Sequence, residues 1–176
     1  SSHSDKDKLV SYFERILNCP AEHFDEALQR ILFFNQVLWQ TRHRLNGLGR
    51  LDKMLEDLYE RDLADGFINE TKTHELIYDF LNQLSKNPEF KSDALMGDIG
   101  QIIILGGLEP DGTYFANSLT SIFLKEQAKL AKPDPKTFLR VSTKMPEDLL
   151  RTAVECLKSK TGSPLFSNDD VVIPSL

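Results

Sequence analysis

The sequence predicts a helix-rich α/β fold, and three observations support this prediction. The 176 residues, with 40% apolar and 27% charged residues, have the composition of a globular domain with one sizeable core. Residues 1–96 carry apolar positions at helical spacing, whereas residues 97–176 alternate short β-branched runs with helical segments. The order strand, helix, strand, helix, strand implies parallel strands joined by crossover helices. We therefore expect a single domain, or a fragment of one, that is mainly helical before residue 97.

Four amphipathic helices are expected in the first part of the chain, because apolar residues recur three and four positions apart. They cover Asp5–Asn18, Ala21–Gln40, Arg50–Ala64 and Thr71–Ser85. Pro20 ends the first helix, and the second has so wide an apolar arc that much of its circumference should be buried. Thr71 and Thr73 are candidate caps of the fourth helix. Residues 42–49 contain Gly47 and Gly49 and break the pattern, which predicts a loop.

Residues 97–176 predict three short strands separated by two helices. The predicted strands lie within Gly97–Gly107, at Thr137–Ser142 and at Val171–Ile173, and the predicted helices cover Tyr114–Lys129 and Met145–Ser159. Glu109–Gly112 carries a turn signal between the first strand and the next helix. Three parallel strands make only a narrow sheet, and parallel sheets usually need cover on both faces. The sequence therefore predicts a partial architecture.

Composition also excludes several classes of partner. The chain has 21 Lys and Arg against 27 Asp and Glu, so the basic surface of a nucleic-acid binder is missing. Its apolar runs are much shorter than a membrane span, and its first residues do not resemble a secretory signal. Two distant cysteines, Cys19 and Cys156, indicate reduced thiols and a cytoplasmic protein. Because the chain starts without Met and stops at an apolar run, we expect a segment of something longer.

No catalytic residue and no metal site is predicted from spacing. The histidines have no metal-binding spacing, and the Cys19 and His23 pair is interpreted as an ordinary helix-terminal pair. Paired Gly106 and Gly107 favour a tight turn, because no phosphate-loop pattern follows them. The acidic run Asn168–Asp170 fits either a polar ligand at a strand end or a helix cap or solvated turn.

Five motifs in order carry a resemblance to a known family. They are Gly49–Asp52; Leu105–Gly107 with Asp111–Gly112 and Asn117–Leu119; Pro133-x-Pro135 with Leu139–Val141; Pro146–Arg151; and Gly162–Pro174. Together they resemble the pyruvate formate-lyase and diol dehydratase group of glycyl radical enzymes, from about Asn18 to Leu176.

The resemblance implies a ten-stranded α/β barrel of two half-barrels, of which this chain would supply part of one. It also implies a stored glycyl radical, a thiyl cysteine inside the barrel, and an activating enzyme with an iron-sulfur cluster and S-adenosylmethionine. The family's thiyl cysteine follows the segment that corresponds to the end of this sequence, and neither Cys19 nor Cys156 matches it. No glycyl loop is found either, so no cofactor is expected in this chain and we expect it to be inactive alone.

Polar residues at strand ends, and in the loop before Arg50, are the candidates to face the barrel interior and bind substrate. They are Asn46, Arg50, Asp52, Asn117, Asn168 and Asp169. The structural alternatives are that Arg50 and Asp52 pair at a helix start, that Asn117 caps a turn, and that Asn168 and Asp169 fix the approach to a strand.

Three functional hypotheses follow. The first is an internal fragment of a cytoplasmic glycyl radical lyase or acyltransferase of anaerobic metabolism, which cleaves carbon–carbon or carbon–oxygen bonds. Its candidate partners are the remainder of the polypeptide, the activating enzyme and a second copy in a homodimer, with no nucleic acid and no membrane. The second is a free-standing, non-catalytic interaction or assembly module derived from that fold. The third is a separate small enzyme that uses the acidic strand end.

Overall fold

The protein contains a parallel four-stranded sheet with helices packed on one face. The computed structural model describes residues 10–11, 13–40, 46–86, 101–159 and 161–175. The strands are β1 (Asn46–Arg50), β2 (Gln101–Leu105), β3 (Gly107–Leu108), β4 (Tyr114–Phe115), β5 (Lys136–Val141) and β6 (Leu165–Asn168). The helices are α1 (Phe24–Gln40), α2 (Leu51–Met54), α3 (Glu56–Ala64), α4 (Glu70–Ser85), α5 (Ser118–Leu130), α6 (Glu147–Lys158) and α7 (Asp169–Val172), with a 3-10 turn at Ile173–Ser175. Residues 13–18 are also helical, as predicted.

The sheet has the strand order β1-β2-β5-β6, and all three pairs are parallel. Each new strand therefore lies beside the one before it, with α4, α5 and α6 as the successive crossovers. The short antiparallel hairpin β3–β4 follows directly after the carboxyl end of β2. This order brings the carboxyl ends of β1, β2, β5 and β6 to one edge of the sheet, which we call the carboxyl edge.

Helix boundaries follow from local hydrogen bonds. The α4 helix is capped by Asn69, whose side chain accepts from the Lys72 amide at 2.8 Å, so neither predicted threonine is the cap. The α5 helix starts with a capping box between Asn117 and Thr120. Because these caps satisfy amides that have no partner within the helix, they define where each helix begins.

The hydrophobic core lies on one face of the sheet. Ile103, Leu105 and Leu139 are fully buried and belong to the same core as residues of α1 to α6. Their neighbours in the strands, Ile104 and Phe138, are only partly buried and lie outside that core. The face on which they lie is less buried than the core face, and we call it the open face. Parallel sheets are normally covered on both faces, so the open face indicates an incomplete layer.

The predicted loop at residues 42–49 is wrong over its second half, because residues 46–50 form β1. Its residues pair with β2, and the pairing register shifts between Gly47 and Gly49. Gly49 has a φ of 80°, which glycine adopts without strain. Backbone pairing with β2 overrides the weak strand propensity of glycine, and local pattern does not show such pairing.

The predicted strand at Val171–Ile173 is also wrong, because these residues form α7 and the 3-10 turn. The Asn168 side chain accepts from the Asp170 amide at 3.0 Å and starts the helix there. The third strand of the predicted order lies upstream, as β6. Tyr114 and Phe115 form β4 rather than the first turn of a helix, since the cap is Asn117. Residues 97–100 of the first predicted strand and 5–9 of the first helix lie outside the described residues.

Candidate functional site

Five of the six predicted site residues lie at or next to the carboxyl edge. Arg50 ends β1, Asp52 lies in the first turn of α2, Asn117 caps α5, Asn168 ends β6 and Asp169 begins α7. Asn46 begins β1 at the opposite edge, in register with Gln101, so the fold does not bring it to the others. Ligands of open parallel α/β sheets bind at the carboxyl edge, which makes this edge the candidate site.

Asp52 is fully buried and connects three elements. Its carboxylate accepts from the Gly106 amide at 2.7 Å, from the Thr120 hydroxyl at 2.8 Å and from the Lys53 amide at 2.9 Å. Burial raises the pKa of Asp52, and these hydrogen bonds act in the opposite direction. Because groups at the end of β2 and at the start of α5 both donate to this carboxylate, Asp52 links α2 to these two elements at the carboxyl edge.

Asn117 also has a structural role at this edge. Its Oδ1 accepts from the Thr120 amide at 3.1 Å, and its Nδ2 donates to the Asp52 carbonyl at 2.9 Å and to Glu56 Oε1 at 3.2 Å. Asn117 therefore caps the helix α5, whereas the structural alternative predicted the cap of a turn.

Arg50 pairs with Glu109 in the β3–β4 turn and not with Asp52. Its Nη1 donates to Glu109 Oε1 at 2.7 Å, and Lys53 contacts the other oxygen of the same carboxylate. The guanidinium lies 5.1 Å from the centre of the Phe115 ring. Hydrogen bonds from Lys53 and then Arg50 hold the pKa of Glu109 below its usual value. Arg50 Nε and Nη2 are buried without a hydrogen-bond partner among the described residues.

Asp169 is 2% exposed and is paired with Arg140 by one hydrogen bond and a second close ion-pair contact. Arg140 Nε donates to Oδ1 at 2.9 Å and Nη2 lies 2.9 Å from Oδ2, which also accepts from the Leu108 amide at 2.7 Å. The Tyr114 hydroxyl donates to the Arg140 carbonyl at 2.6 Å. Burial, and then the charges of Asp52 and Asp169, raise the pKa of Tyr114 to about 12.

Asn168 and its neighbour Asp170 fix the chain after β6. Asn168 caps α7, while the Asp170 carboxylate accepts from Ser142 Oγ and the Thr143 amide, each at 2.7 Å. These bonds lower the pKa of Asp170. The cap interpretation of the acidic run is thus confirmed for Asn168.

Sequence reasoning does not single out Arg140, Glu109 or Tyr114 at this edge. Arg140 lies one residue before the end of β5, so the rule that selects Arg50 and Asn168 could also have selected Arg140. The turn signal accounts for Glu109 only as part of a turn, and its pairing with Arg50 joins residues 59 positions apart in the sequence. No local signal in the sequence indicates that contact.

The carboxyl edge is a framework of paired polar groups. The described residues contain no cluster of three His, Cys, Asp or Glu that could hold a metal ion. Cys156 is 1% exposed, and burial raises the pKa of its thiol to about 11, which makes it a poor nucleophile at neutral pH. No helix within the described ranges is both long and apolar enough to cross a membrane. The hydrogen bonds at this edge tie strand ends to helix starts, which is a structural role.

Comparison with known proteins gives one family. The profile described as pyruvate formate lyase-like matches residues 7–176. The 4-hydroxyphenylacetate decarboxylase glycyl radical subunit of Clostridioides difficile is 28% identical over 168 residues, covering 92% of this chain and 18% of that protein. Indoleacetate decarboxylase of Tractidigestivibacter scatoligenes is 30% identical over 179 residues, covering 96% of this chain and 20% of that protein.

A solved structure shares the fold. It is described as 1,2-propanediol dehydration in Roseburia inulinivorans and matches with a TM-score of 0.81 at 28% identity, over 89% of this chain and 20% of that one. This chain therefore spans about one fifth of the length of the proteins that it matches.

Proposed function

Because the chain belongs to the pyruvate formate lyase-like family, we propose that it forms one arc of the barrel wall of a glycyl radical enzyme. The resemblance in the five motifs and the helix-rich α/β fold with parallel strands are confirmed. The proposed reaction of the whole protein is radical cleavage of a carbon–carbon or carbon–oxygen bond. Related sequences named as decarboxylases, which break a carbon–carbon bond, and as a dehydratase, which breaks a carbon–oxygen bond, favour this reaction class. Another relative is named as an isethionate sulfite-lyase, which breaks a carbon–sulfur bond.

The observation that carries the proposal is the incomplete sheet. Its strand order starts at β1 and ends at β6, so each of these strands has one edge unpaired among the described residues. Together with the open face, this is the geometry expected of an arc cut from a closed barrel, since closure removes both free edges. An autonomous four-stranded parallel sheet would need cover on its second face.

The surface beside β6 supports the same proposal. Five apolar side chains on α6 and β6 are 38–45% exposed; they are Leu150, Val154, Leu157, Leu165 and Phe166. A following strand would pair with β6 and its helix would pack on α6, because each strand of this sheet adds beside the last. This apolar surface fits a contact with the remainder of a longer polypeptide better than a solvated surface.

Within this proposal, the open face borders the barrel interior. Ile102, Ile104 and Phe138 line it, with Arg50 and Arg140 at its carboxyl end. Of the six predicted site residues, Arg50 keeps donors without a described partner, and we propose it as the best placed of them to meet a polar group from the interior. The radical-bearing glycine and cysteine would lie in the rest of the protein. A cytoplasmic, anaerobic setting and an activating enzyme are part of the same proposal.

The test compares the isolated chain with the longer protein encoded around it. The chain alone should bind a hydrophobic dye and self-associate, and Val154→Asp should weaken both effects because it charges the apolar surface. Arg151→Asp, an exposed position on the same helix, is the matched control. The longer protein, activated without oxygen, should show a glycyl radical by electron paramagnetic resonance. A chain that is strictly monomeric, binds no dye and unfolds sharply would instead favour the free-standing module.

A further inference from the structure

Arg140 joins the ends of three parallel strands. It lies near the end of β5, binds Asp169 after β6 through Nε and Nη2, and Nη2 lies 3.4 Å from the Leu108 carbonyl in the hairpin after β2. The Leu108 amide closes the arrangement by donating to Asp169 Oδ2 at 2.7 Å. We call Arg140, Asp169 and Leu108 the strand-end clamp. Because Nε and Nη2 each face a different oxygen of the same carboxylate, one as a hydrogen bond and one as an ion-pair contact, the relative orientation of the two side chains is fixed as well as their distance.

The backbone at Gly107 lies directly against the Arg140 side chain and leaves room for it because glycine has no Cβ. Gly107 has a φ of 116°, and a Cβ there would lie 2.7 Å from Arg140 Nε and 2.8 Å from Cζ. The Tyr114 hydroxyl holds the Arg140 carbonyl from the other strand of the hairpin. A side chain at residue 107 would displace the guanidinium, so the hairpin and Arg140 are built to fit each other.

The clamp acts at the point where the chain leaves the sheet. Asp169 is the first residue of α7, and Ile173–Ser175 continues from that helix as a 3-10 turn. Because both oxygens of the buried Asp169 carboxylate are bound, the start of α7 is tied to β5 and to the hairpin. Asp170 adds contacts with the segment after β5. The direct hydrogen bond between the hairpin and α7, from the Leu108 amide to Asp169, belongs to the clamp.

We propose that Arg140 is a positioning residue that sets the direction in which the polypeptide leaves β6, relative to the β3–β4 hairpin. That this direction aims the following segment toward the barrel interior, and so matters for catalysis, rests on the proposed function. The geometric part concerns only this chain. The two parts can therefore fail separately, because the geometry is measured without any activity.

The test measures the exit direction by pulsed electron resonance in the full chain. Spin labels are placed on cysteines at the exposed positions Pro110 and Ser175, with Cys19 replaced by Ser and the buried Cys156 retained. Arg140→Lys keeps the charge but has a single nitrogen and cannot reproduce the two-nitrogen contact with Asp169, so it should shift or broaden the distance distribution. Arg151→Lys, in an exposed pair with Glu147, is the matched control and should leave the distribution unchanged.

Amide exchange supplies a second readout. Loss of a charge-assisted bond should make exchange of the Leu108 amide at least about tenfold faster in the Arg140→Lys variant. If Arg140→Lys only lowers the melting temperature and leaves both the distance distribution and Leu108 exchange unchanged, Arg140 is merely stabilising and the proposal is wrong.

Two further measurements apply if Arg140→Lys prevents folding. Asp169→Asn, with exposed Asp148→Asn as its control, should broaden the same distribution. In the unsubstituted chain, the Leu108 amide should be protected as strongly as the amides of β2. A Leu108 amide that exchanges as fast as those of the exposed hairpin turn would show that the clamp does not form, and would overturn the proposal.

Discussion

Replacement of Asp52 by Ala should be among the most damaging single changes in this chain. The carboxylate is fully buried and accepts from the Gly106 amide and the Thr120 hydroxyl, which are themselves buried. Removing the acceptor leaves the Gly106 amide unsatisfied, at about 1–3 kcal/mol. The Thr120 hydroxyl loses one hydrogen bond, at about 0.5–1.5 kcal/mol, but keeps Asn117 Oδ1 at 3.3 Å, so the loss of unfolding free energy should be about 1.5–4.5 kcal/mol. The Lys53 amide adds little because that residue is exposed.

The isosteric change Asp52→Asn separates hydrogen bonding from charge. With its Oδ1 in the place of Asp52 Oδ2, the asparagine can still accept from both the Gly106 amide and the Thr120 hydroxyl, and only the Lys53 amide loses its acceptor. The amide also escapes the burial cost that raises the pKa of Asp52. We expect Asp52→Asn to cost about 1–2 kcal/mol, clearly less than Asp52→Ala.

Urea unfolding followed by circular dichroism measures both changes. Asp57→Ala is the control, because Asp57 is exposed in the first turn of α3 and should change stability by only about 0.5 kcal/mol. A loss below about 1 kcal/mol for Asp52→Ala would refute the reasoning. It would mean that water or a rearranged neighbour satisfies Gly106 and Thr120.

Two more predictions concern backbone strain and pH. Gly107→Ala should cost about 1–3 kcal/mol of unfolding free energy, because φ is 116° and the added Cβ would meet Arg140. The control Gly47→Ala, where nothing lies within 4 Å of the added Cβ, should cost much less. Equal losses in the two variants would contradict this prediction. The hydrogen bond with Asp62 raises the pKa of His23 above 6.5. The stabilisation of the fold by protonated His23 should therefore be complete below about pH 6.5 and be lost as the pH rises through the higher pKa of the folded state. As the pH rises through this range, the melting temperature of the His23→Gln variant should fall less steeply than that of the unsubstituted chain. Identical slopes in the two proteins would argue against the His23–Asp62 pair.

The helices are largely predictable, because their signals are local. The predicted helix Thr71–Ser85 differs from α4 by one residue, and Met145–Ser159 contains all of α6. An apolar stripe every three or four residues, with capping residues and prolines at the ends, is enough to define such elements.

The errors fall where a distant partner or a specific cap competes with local propensity. The two glycines of β1 look like a loop, whereas its pairing with β2 joins Asn46 to Gln101 and Arg50 to Ile104, far apart in the sequence. The β-branched residues of Val171–Ile173 favour a strand, but the Asn168 cap starts a helix there. Local propensity decides neither case, because the competing contact is tertiary in the first and a cap in the second.

The candidate site divides in the same way. The rule that ligands gather at strand ends places five of the six predicted residues at the carboxyl edge, and only Asn46 lies elsewhere. The partners of those residues are not predictable, since Arg50 binds Glu109 and Asp169 binds Arg140 across long stretches of sequence.

By itself, the sequence determined the helices, the parallel α/β class and the family, because these depend on periodicity, caps and ordered motifs that are written along the chain. Only the tertiary structure decided that residues 46–50 join the sheet, that Asp52 and Asn117 are occupied within the fold, and that Arg140 binds Asp169. The physical reason is that a strand pair or a buried ion pair is stabilised by groups far apart in sequence, which are brought within hydrogen-bond distance only when the core packs.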